Sequence, residues 1–412
     1  MEDGSPDSEV IFEEDVWEID DEDGEIPPED DLQEEMEGMG FEEEEDEEEE
    51  MVTRNDAAAV FKGHTGSVFC VSLHPDGALA CSGGEDDRAF LWRTDDASVT
   101  MECKGHKDSV TCTGFSHDGK YAATGDMGGG VRVWSVEERQ PVCVLESSDI
   151  EWLKWHPQAH VLLAGTSDGM GWMWRVPAGD CKTFQAQSSR NICCSFLPDG
   201  KHIACGYEDG CVRVWNLKEC VTTSSMSPAH KGSVNCLAAN SDGSLVMTGS
   251  EDSTARLVST TTGKVVVSLA AGMPRKVPPT ADDEDVTQST PLSVEDVAFF
   301  PSLPLALTAS LSGAVGVWDI ATQKLRHTLQ HQAGVVRLRC SSRDPLVFTG
   351  CLDGGVRLWD VRGGECVREW WGHTKDILDL TIASDDSLIL SASDDATVLV
   401  FSNKSQTLHC SQ

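Results

Sequence analysis

Basic residues are scarce in this chain of 412 residues, which has 31 Lys and Arg against 71 Asp and Glu and a formal net charge of −40. That imbalance excludes a protein that binds nucleic acid directly through a general basic surface. The sequence also lacks an apolar run of about 18 residues, the length that a membrane-spanning helix requires. The first twenty residues lack the basic and apolar regions of a secretory signal. We therefore expect a cytoplasmic protein without a transmembrane segment.

The usual short motifs of metal and cofactor sites are also missing. The 16 cysteines form no Cys-x-x-Cys pair, and there is no His-Glu-x-x-His motif and no phosphate-binding glycine loop. Because the cytosol keeps cysteines reduced, we interpret them as thiols. Four of them recur six residues before the turn Asp of a repeat, which favours a small buried position over a catalytic one: Cys70, Cys112, Cys193 and Cys236. The sequence predicts no metal and no cofactor.

Acidic residues are concentrated at the amino terminus. Residues 1–50 contain 28 carboxylates and no basic side chain, and they end in nine consecutive acidic residues at 42–50. The rest of the chain keeps 43 acidic against 31 basic residues, a net charge of −12. Such a segment cannot offset its ordering entropy by burying apolar surface, so we predict a disordered acidic tail over residues 1–56. A second acidic stretch, at 271–293, predicts a loop insert.

A short pattern recurs through the remaining residues, 57–412. Two small residues precede an Asp and a turn, and a β-branched stretch then ends in an aromatic residue, as in Gly83 to Trp92. The eight terminal positions are 40 to 43 residues apart, except for one interval of 60 that contains the acidic insert. This period is the length of a four-stranded propeller blade. The sequence therefore predicts an all-β protein, a single eight-bladed β-propeller, with residues 57–62 supplying the strand that closes the ring.

The repeat resembles that of the WD40 family, from about residue 57 to the end of the chain. The resemblance implies a buried tetrad in each blade, in which His, Asp, a hydroxyl residue and Trp form a hydrogen-bonded chain. In the first blade the tetrad would be His64, Ser82, Asp86 and Trp92, and in the seventh His331, Thr349, Asp353 and Trp359. Gly128 and Ser312 stand at the Asp position of the second and sixth blades. We expect the second, third, fourth and sixth blades to be held less firmly.

One segment matches a catalytic motif by its letters. Gly165 to Gly169 fits the Gly-x-Ser-x-Gly pattern of a hydrolase, in which Ser167 would be the nucleophile and a helix would follow. The same register in neighbouring repeats has no Ser and leads into a strand. We therefore predict no catalytic residue and no enzymatic activity.

The WD40 resemblance also implies where partners bind, on the face formed by the loop before each first strand and the turn before each tetrad Asp. In this sequence those positions are rich in carboxylates, which Lys107, Arg190, Lys231 and Lys375 offset only in part. A negative rim around a channel mouth attracts cationic partners. The predicted partner-binding residues are Glu85, Asp108, Asp149, Glu151, Trp152, Glu208, Glu251, Glu295, Asp376 and Asp394.

Trp152 stands where four other repeats have a cysteine, as at Cys70. Two interpretations remain open. The larger ring is compensated by the packing around it, or it is an aromatic anchor for a partner near the central channel.

Further stretches, including Glu151-Trp152 and Gly179 to Phe184, resemble one group of WD40 proteins. The resemblance implies roles in cell migration and blood-vessel formation, in the cytoplasm and at the cell periphery. It also implies a fungal relative that chaperones a large-subunit ribosomal protein. We expect a monomeric, non-enzymatic module that captures a basic protein segment, such as that of a ribosomal protein. The alternative is a scaffold that binds migration-signalling proteins.

Overall fold

A computed structural model describes residues 54–185, 187–271 and 292–404. All regular elements of these ranges are β-strands, arranged as eight antiparallel sheets of four strands. Residues 1–53 of the predicted tail and residues 272–291 of the predicted insert lie outside the described residues. The described residues contain no helix long and apolar enough to cross a membrane.

The first four blades follow one another along the chain, each with its strands in sequence order. Their strands are β2 (Val68–Leu73), β3 (Leu79–Gly84), β4 (Ala89–Arg93) and β5 (Val99–Glu102); β6 (Val110–Phe115), β7 (Tyr121–Asp126), β8 (Gly130–Ser135) and β9 (Gln140–Glu146); β10 (Ile150–Trp155), β11 (Val161–Thr166), β12 (Gly171–Arg175) and β13 (Asp180–Phe184); β14 (Asn191–Phe196), β15 (His202–Tyr207), β16 (Val212–Asn216) and β17 (Val221–Met226).

The last four blades repeat this arrangement, and the eighth takes its outer strand from the start of the chain. Their strands are β18 (Val234–Ala239), β19 (Leu245–Ser250), β20 (Thr254–Ser259) and β21 (Val265–Ala270); β22 (Val294–Phe299), β23 (Leu305–Ser310), β24 (Ala314–Asp319) and β25 (Lys324–Gln330); β26 (Val335–Cys340), β27 (Leu346–Cys351), β28 (Val356–Asp360) and β29 (Glu365–Trp370); β30 (Ile377–Ile382), β31 (Leu388–Ser393), β32 (Val398–Ser402) and β1 (Ala59–Phe61).

The ring closes where β1 pairs with β32, in the register Ala59 to Val400 and Phe61 to Val398. The first strands of neighbouring blades contact one another around the whole ring, including β30 and β2 across the closure. This confirms the eight-bladed propeller and its predicted closing strand. Closure removes the two sheet edges that an open array would expose.

The core lies between the blades, because each sheet buries one face against the next. Strands β3 and β31 are buried along nearly their whole length, whereas the outer strands such as β5 and β17 alternate or are exposed. The sequence explains this difference, since the second strands are continuous runs of small and apolar residues. Strands buried on both faces favour such runs.

Every first strand carries a β-bulge near its start, as between Val68 and Cys70 or between Ile150 and Trp152. A bulge turns the side chain that follows it. The eight residues directly after the bulges lie beside the central channel, and they are Cys70, Cys112, Trp152, Cys193, Cys236, Asp296, Arg337 and Asp379.

Candidate protein-binding face

One backbone hydrogen bond recurs in all eight blades and brings two loops to the same face of the ring. The N–H of the first residue after the second strand donates to the carbonyl of a residue in the loop before the first strand, over 2.9 to 3.1 Å. The pairs are Glu85 to Ser67, Met127 to Ser109, Ser167 to Asp149, Glu208 to Arg190, Glu251 to Ser233, Leu311 to Ser293, Leu352 to Gly334 and Asp394 to Asp376. We call the surface formed by these loops the upper face.

Six of the predicted acidic residues are exposed on the upper face. Within residues 54–404, as far as they are described, none of the six forms an ion pair. They are Glu85, Asp108, Asp149, Glu208, Glu251 and Asp376. Their charges are therefore available to a partner.

The other predicted acidic residues are half-buried and already have partners. Glu151 lies 2.6 Å from the guanidinium of Arg190. Asp394 lies 3.1 Å from the ammonium of Lys375 and accepts a hydrogen bond of 2.5 Å from the Ser67 hydroxyl. Glu295 accepts a hydrogen bond from Ser293. These carboxylates stabilise the loops more than they add free charge.

A cleft of about 640 Å³ lies on the upper face between the second and third blades. Asp108 and Asp149 line it together with Met127, whose residue surface is 49% exposed. The cleft thus combines two carboxylates without ion-pair partners and an exposed apolar side chain, and the paired Glu151 and Arg190 also line it. Met127 occupies the position that is Glu85 in the first blade, and it was not among the residues predicted to bind a partner.

The upper face is not acidic all the way round. At the position of Glu85, the sixth and seventh blades present Leu311, which is 37% exposed, and the half-buried Leu352. An arc of carboxylates from the eighth to the fifth blade therefore meets a short apolar sector. Aligning the eight turns by register would have revealed this sector in the sequence.

Trp152, which the sequence placed among the partner-binding residues, is largely buried beside the central channel. Its residue surface is 7% exposed, and it packs with Tyr207 and Trp215. Its indole N–H donates to the Asn191 side chain of the next blade over 3.1 Å. The structure favours the packing interpretation, since the ring joins two blades.

The cysteines at the same register also join blades. The thiol of Cys70 donates to the Val110 carbonyl over 3.6 Å, and the thiol of Cys193 donates to the Val234 carbonyl over 3.2 Å. Burial raises the pKa of the Cys112 thiol to about 11. A thiol of high pKa is a poor nucleophile at neutral pH, which agrees with a structural role.

Charged residues take over this bridging on the other side of the channel. Asp296 accepts a hydrogen bond from the Leu338 N–H over 2.8 Å, and Asp379 accepts one from the Val71 N–H over 3.1 Å. Arg337 lies 3.2 Å from Asp379, and Arg339 lies 3.2 Å from Asp296. This cluster joins the sixth, seventh, eighth and first blades. No sequence motif predicted it.

The first-blade tetrad forms the hydrogen-bonded chain that the family resemblance implied. His64 Nδ1 lies 2.9 Å from Asp86 Oδ1, and its Nε2 lies 2.9 Å from the Ser82 hydroxyl. The Trp92 indole N–H donates to the same hydroxyl over 3.2 Å. Burial lowers the pKa of His64 against the opposing effect of Asp86.

The second blade has a complete tetrad too, so the missing Asp on which the expectation of a less firmly held blade rested is supplied from another position. His106 lies 2.7 Å from Asp126 and 2.7 Å from the Thr124 hydroxyl, to which Trp134 donates over 3.0 Å. Asp126 stands two residues before the expected position, Gly128. A Cβ on Gly130 would lie 2.6 Å from the Asp126 carboxylate, so glycine there makes the room.

The seventh-blade tetrad differs from the expected one. His331 Nε2 lies 3.0 Å from the Thr349 hydroxyl, but the Asp353 carboxylate accepts hydrogen bonds of 3.1 and 2.7 Å from Arg357. The indole N–H of Trp359 is buried without a hydrogen-bond partner among the described residues. In this blade the Asp353 carboxylate is therefore paired with Arg357, four residues further along the chain.

Acid should destabilise the ring through His331. Burial and the nearby Arg357 lower the pKa of His331 to about 4, whereas an unfolded chain has a His pKa of about 6.5. Between these values the unfolded state binds more protons, so the free energy of unfolding falls as pH falls from 6.5 to 4, by up to about 3 kcal/mol from this residue. Denaturant unfolding of the His331→Asn variant should show a flatter pH dependence in this window. The exposed His117→Asn is the control for the substitution itself, and a slope in His331→Asn equal to that of the unaltered chain would contradict the assignment.

Two further features resemble chemical sites, and the local structure favours a structural role for each. Ser167 lies in a turn that leads into strand β12, and its N–H donates to the Asp149 carbonyl over 2.9 Å, so the helix of a nucleophile elbow is missing there. Among the described residues, His117, Asp118 and His160 bring possible metal ligands within 4.8 Å of one another. Asp118 already lies 3.0 Å from His160 and 3.2 Å from the ammonium of Lys120, which favours an ion-pair network.

The ring, its repeated loops and its His-Asp-hydroxyl-Trp chains define a WD40 propeller. The family "WD domain, G-beta repeat" matches residues 56–93, 97–135, 180–216, 218–259, 323–360 and 364–402, which contain the first three strands of six of the eight blades. The chain belongs to this family.

Within the family, the chain is 46% identical to the angio-associated migratory cell protein of Homo sapiens over 393 residues, 91% of this chain and 90% of that protein. It is 24% identical to the ribosome assembly protein SQT1 of Saccharomyces cerevisiae over 84% of this chain and 86% of that protein. The crystal structure of Chaetomium thermophilum Sqt1 bound to the N-terminus of the ribosomal protein L10 has a TM-score of 0.75 at 24% identity, and covers 85% of this chain and 100% of that one. The group resemblance drawn from the sequence is thereby confirmed, and the solved structure confirms the fold.

Proposed function

We propose that this protein is a non-enzymatic binding module that captures a basic protein segment on its upper face. The observation that carries the proposal is the set of six exposed carboxylates without ion-pair partners around the channel mouth. A field of one sign raises the rate of association with an oppositely charged partner, by roughly ten to a thousand fold at low salt.

The cleft between the second and third blades is the best place for one Lys or Arg of the partner. The apolar stem of such a side chain would lie against Met127, while its charged head would meet Asp108 and Asp149. A single exposed ion pair contributes only about 0 to 1 kcal/mol. The partner therefore needs several basic residues that follow the arc of carboxylates.

A ribosomal protein is a suitable partner, since these proteins are rich in Lys and Arg. In that case the chain would act in the cytoplasm as a chaperone or assembly factor, shielding the basic segment until the ribosomal protein is incorporated into the ribosome. Two relatives support this choice, the ribosome assembly protein SQT1 and the solved Sqt1 bound to the N-terminus of the ribosomal protein L10. Both are about one quarter identical to this chain. The ribosomal partner is therefore a proposal, and the physical argument for it is the acidic upper face.

A second candidate is a scaffold in cell migration and angiogenesis signalling, in the cytoplasm and at the cell periphery. The name of the 46% identical relative favours it. The apolar sector at Leu311 and Leu352 gives it a physical basis, because a partner bound there would not depend on charge. The two functions would use different parts of the upper face.

Salt separates the two candidates. Binding of a labelled basic peptide to the full chain should weaken at least tenfold between about 0.1 and 0.5 M NaCl, because the screening length falls from about 10 Å at 0.1 M toward about 3 Å at 1 M. Fluorescence polarisation measures this, with a peptide of the same length in which Gln replaces each Lys and Arg as the control. If the main partners recovered from cell extract are neutral or acidic and remain bound at 0.5 M, the scaffold function is favoured.

A further inference from the structure

A second cleft lies on the opposite face of the ring, between the third and fourth blades. Its volume is about 470 Å³, and it is formed by the turns at the other ends of the strands that carry the upper face. Val161, Met173 and Leu217 supply apolar lining. The thiol-bearing residue Cys181 is exposed at its edge. We call this site the lower cleft.

Four basic residues surround the apolar lining, in a chain whose net charge is −40. Lys182, Lys201 and Lys218 are exposed and form no ion pair within the described part of the chain. The fourth is Arg175, whose guanidinium lies 3.9 Å from Asp180, the one carboxylate of the lining. The Lys182 ammonium donates to the Lys218 carbonyl over 3.4 Å and so spans the two blades. The lower cleft therefore carries a net positive charge.

The equivalent cleft at another blade boundary can be compared with the lower cleft. The same repeat positions between the first and second blades form a cleft of about 380 Å³, where Glu137 replaces Lys218. There Arg93 is bound by Asp95, and the counterpart of Lys201, Lys120, lies 3.2 Å from Asp118. Charge is balanced at one blade boundary and unbalanced at the other, so the positive charge of the lower cleft does not follow from the fold.

We propose that the lower cleft binds an acidic protein segment that carries an apolar side chain between its carboxylates. The apolar lining would take that side chain, and the three unpaired lysines would take the carboxylates around it. A nucleic acid offers phosphates but no aliphatic or aromatic side chain for Val161 and Met173. The inference goes beyond the proposed function, since it concerns another face and a partner of opposite charge.

The direct test uses the full chain and a fluorescein-labelled synthetic octapeptide in which Glu and Asp flank a Trp and an Ile. Fluorescence polarisation should show binding that weakens at least tenfold in a variant with Lys201→Glu and Lys218→Glu. The control is Lys120→Glu, the equivalent position between the first and second blades, and it should bind the peptide as the unaltered chain does. Met173→Gln should weaken binding at least threefold, because it places an amide in the apolar lining.

The exposed thiol of Cys181 gives an independent readout. Cys366 is its counterpart in the seventh blade, seven residues after Trp359 as Cys181 is after Trp174, and it is exposed as well. The octapeptide should slow alkylation of Cys181 by iodoacetamide at least threefold and leave Cys366 unaffected, as followed by mass spectrometry of the tryptic peptides.

Three results would overturn the inference. The first is peptide binding that is equal in the Lys201→Glu, Lys218→Glu variant and the unaltered chain. The second is equal binding of an octapeptide of Glu alone, which would make the lower cleft a site for anions in general. The third is a single-stranded oligonucleotide that binds as tightly and with the same sensitivity to the two lysines.

Discussion

Reversing three upper-face carboxylates, with Asp149→Lys, Glu208→Lys and Glu251→Lys, should strongly weaken capture of a basic peptide while leaving the folded ring intact. Each of these side chains is exposed and is without a side-chain hydrogen bond or ion pair among the described residues. A reversal removes one attraction and adds one repulsion, so each costs about 1 kcal/mol in binding free energy. Three of them lower the affinity about a hundredfold.

The matched control reverses three carboxylates away from the upper face, Glu137, Glu138 and Glu219, which changes the net charge by the same amount. Titration with the labelled basic peptide at 0.1 M salt should show a loss of at most a few fold for this control. Both variants should melt within about 2 °C of the unaltered chain, since surface substitutions usually change stability by less than about 0.5 kcal/mol. Equal losses in the two variants would mean that net charge, and not the upper face, governs binding.

Removing the aromatic ring at the closure, with Phe61→Ala, should lower the free energy of unfolding by about 3 to 5 kcal/mol. Phe61 is 1% exposed and stacks on Trp92 of the first blade, with ring centroids 4.6 Å apart. It lies on β1, the outer strand of the eighth blade, and so packs across the point where the two ends of the ring meet. Loss of the ring both creates a cavity and weakens the contact that closes the propeller.

Phe184→Ala is the control for the cavity alone. Phe184 ends the outer strand of the third blade, is 4% exposed, and packs against Trp215 at 5.5 Å. Denaturant unfolding should show a large loss for both variants. Hydrogen exchange should separate them, because only Phe61→Ala should accelerate exchange of the amides in β32. Unchanged exchange in β32 would show that the ring stays closed without this contact.

Much of the fold could be predicted from the spacing of residues. A pattern that repeats at a fixed period identifies the blades even where one repeat departs from it. The first-blade tetrad, from His64 to Trp92, could be assigned by counting. The second-blade tetrad could not, since Asp126 reaches His106 from two positions earlier and needs Gly130 for its space. The three consecutive glycines at 128–130 are the signal that would have found it.

The candidate site was predictable only in part, since a sequence gives the charge of a loop but not the partner of each charge. Glu151 and Asp394 looked equivalent to Asp149, yet Arg190 and Lys375 bind them. For Trp152 the sequence left open a packing role or an anchor near the channel, and the ring is buried between two blades. The lower cleft went unnoticed, because its three lysines come from two blades and are joined only when those blades pack.

The sequence by itself determined the number of blades, the closing strand and the acidic character of the loops, because these depend on period and composition along the chain. The tertiary structure decided which carboxylates remain unpaired, where Asp353 and Trp152 direct their polar atoms, and that positive charge collects at one boundary of the lower face. These depend on side chains about 40 residues apart that meet only when each blade packs on the next. Which residue a side chain contacts, and hence whether its charge is paired, is decided only when the ring closes.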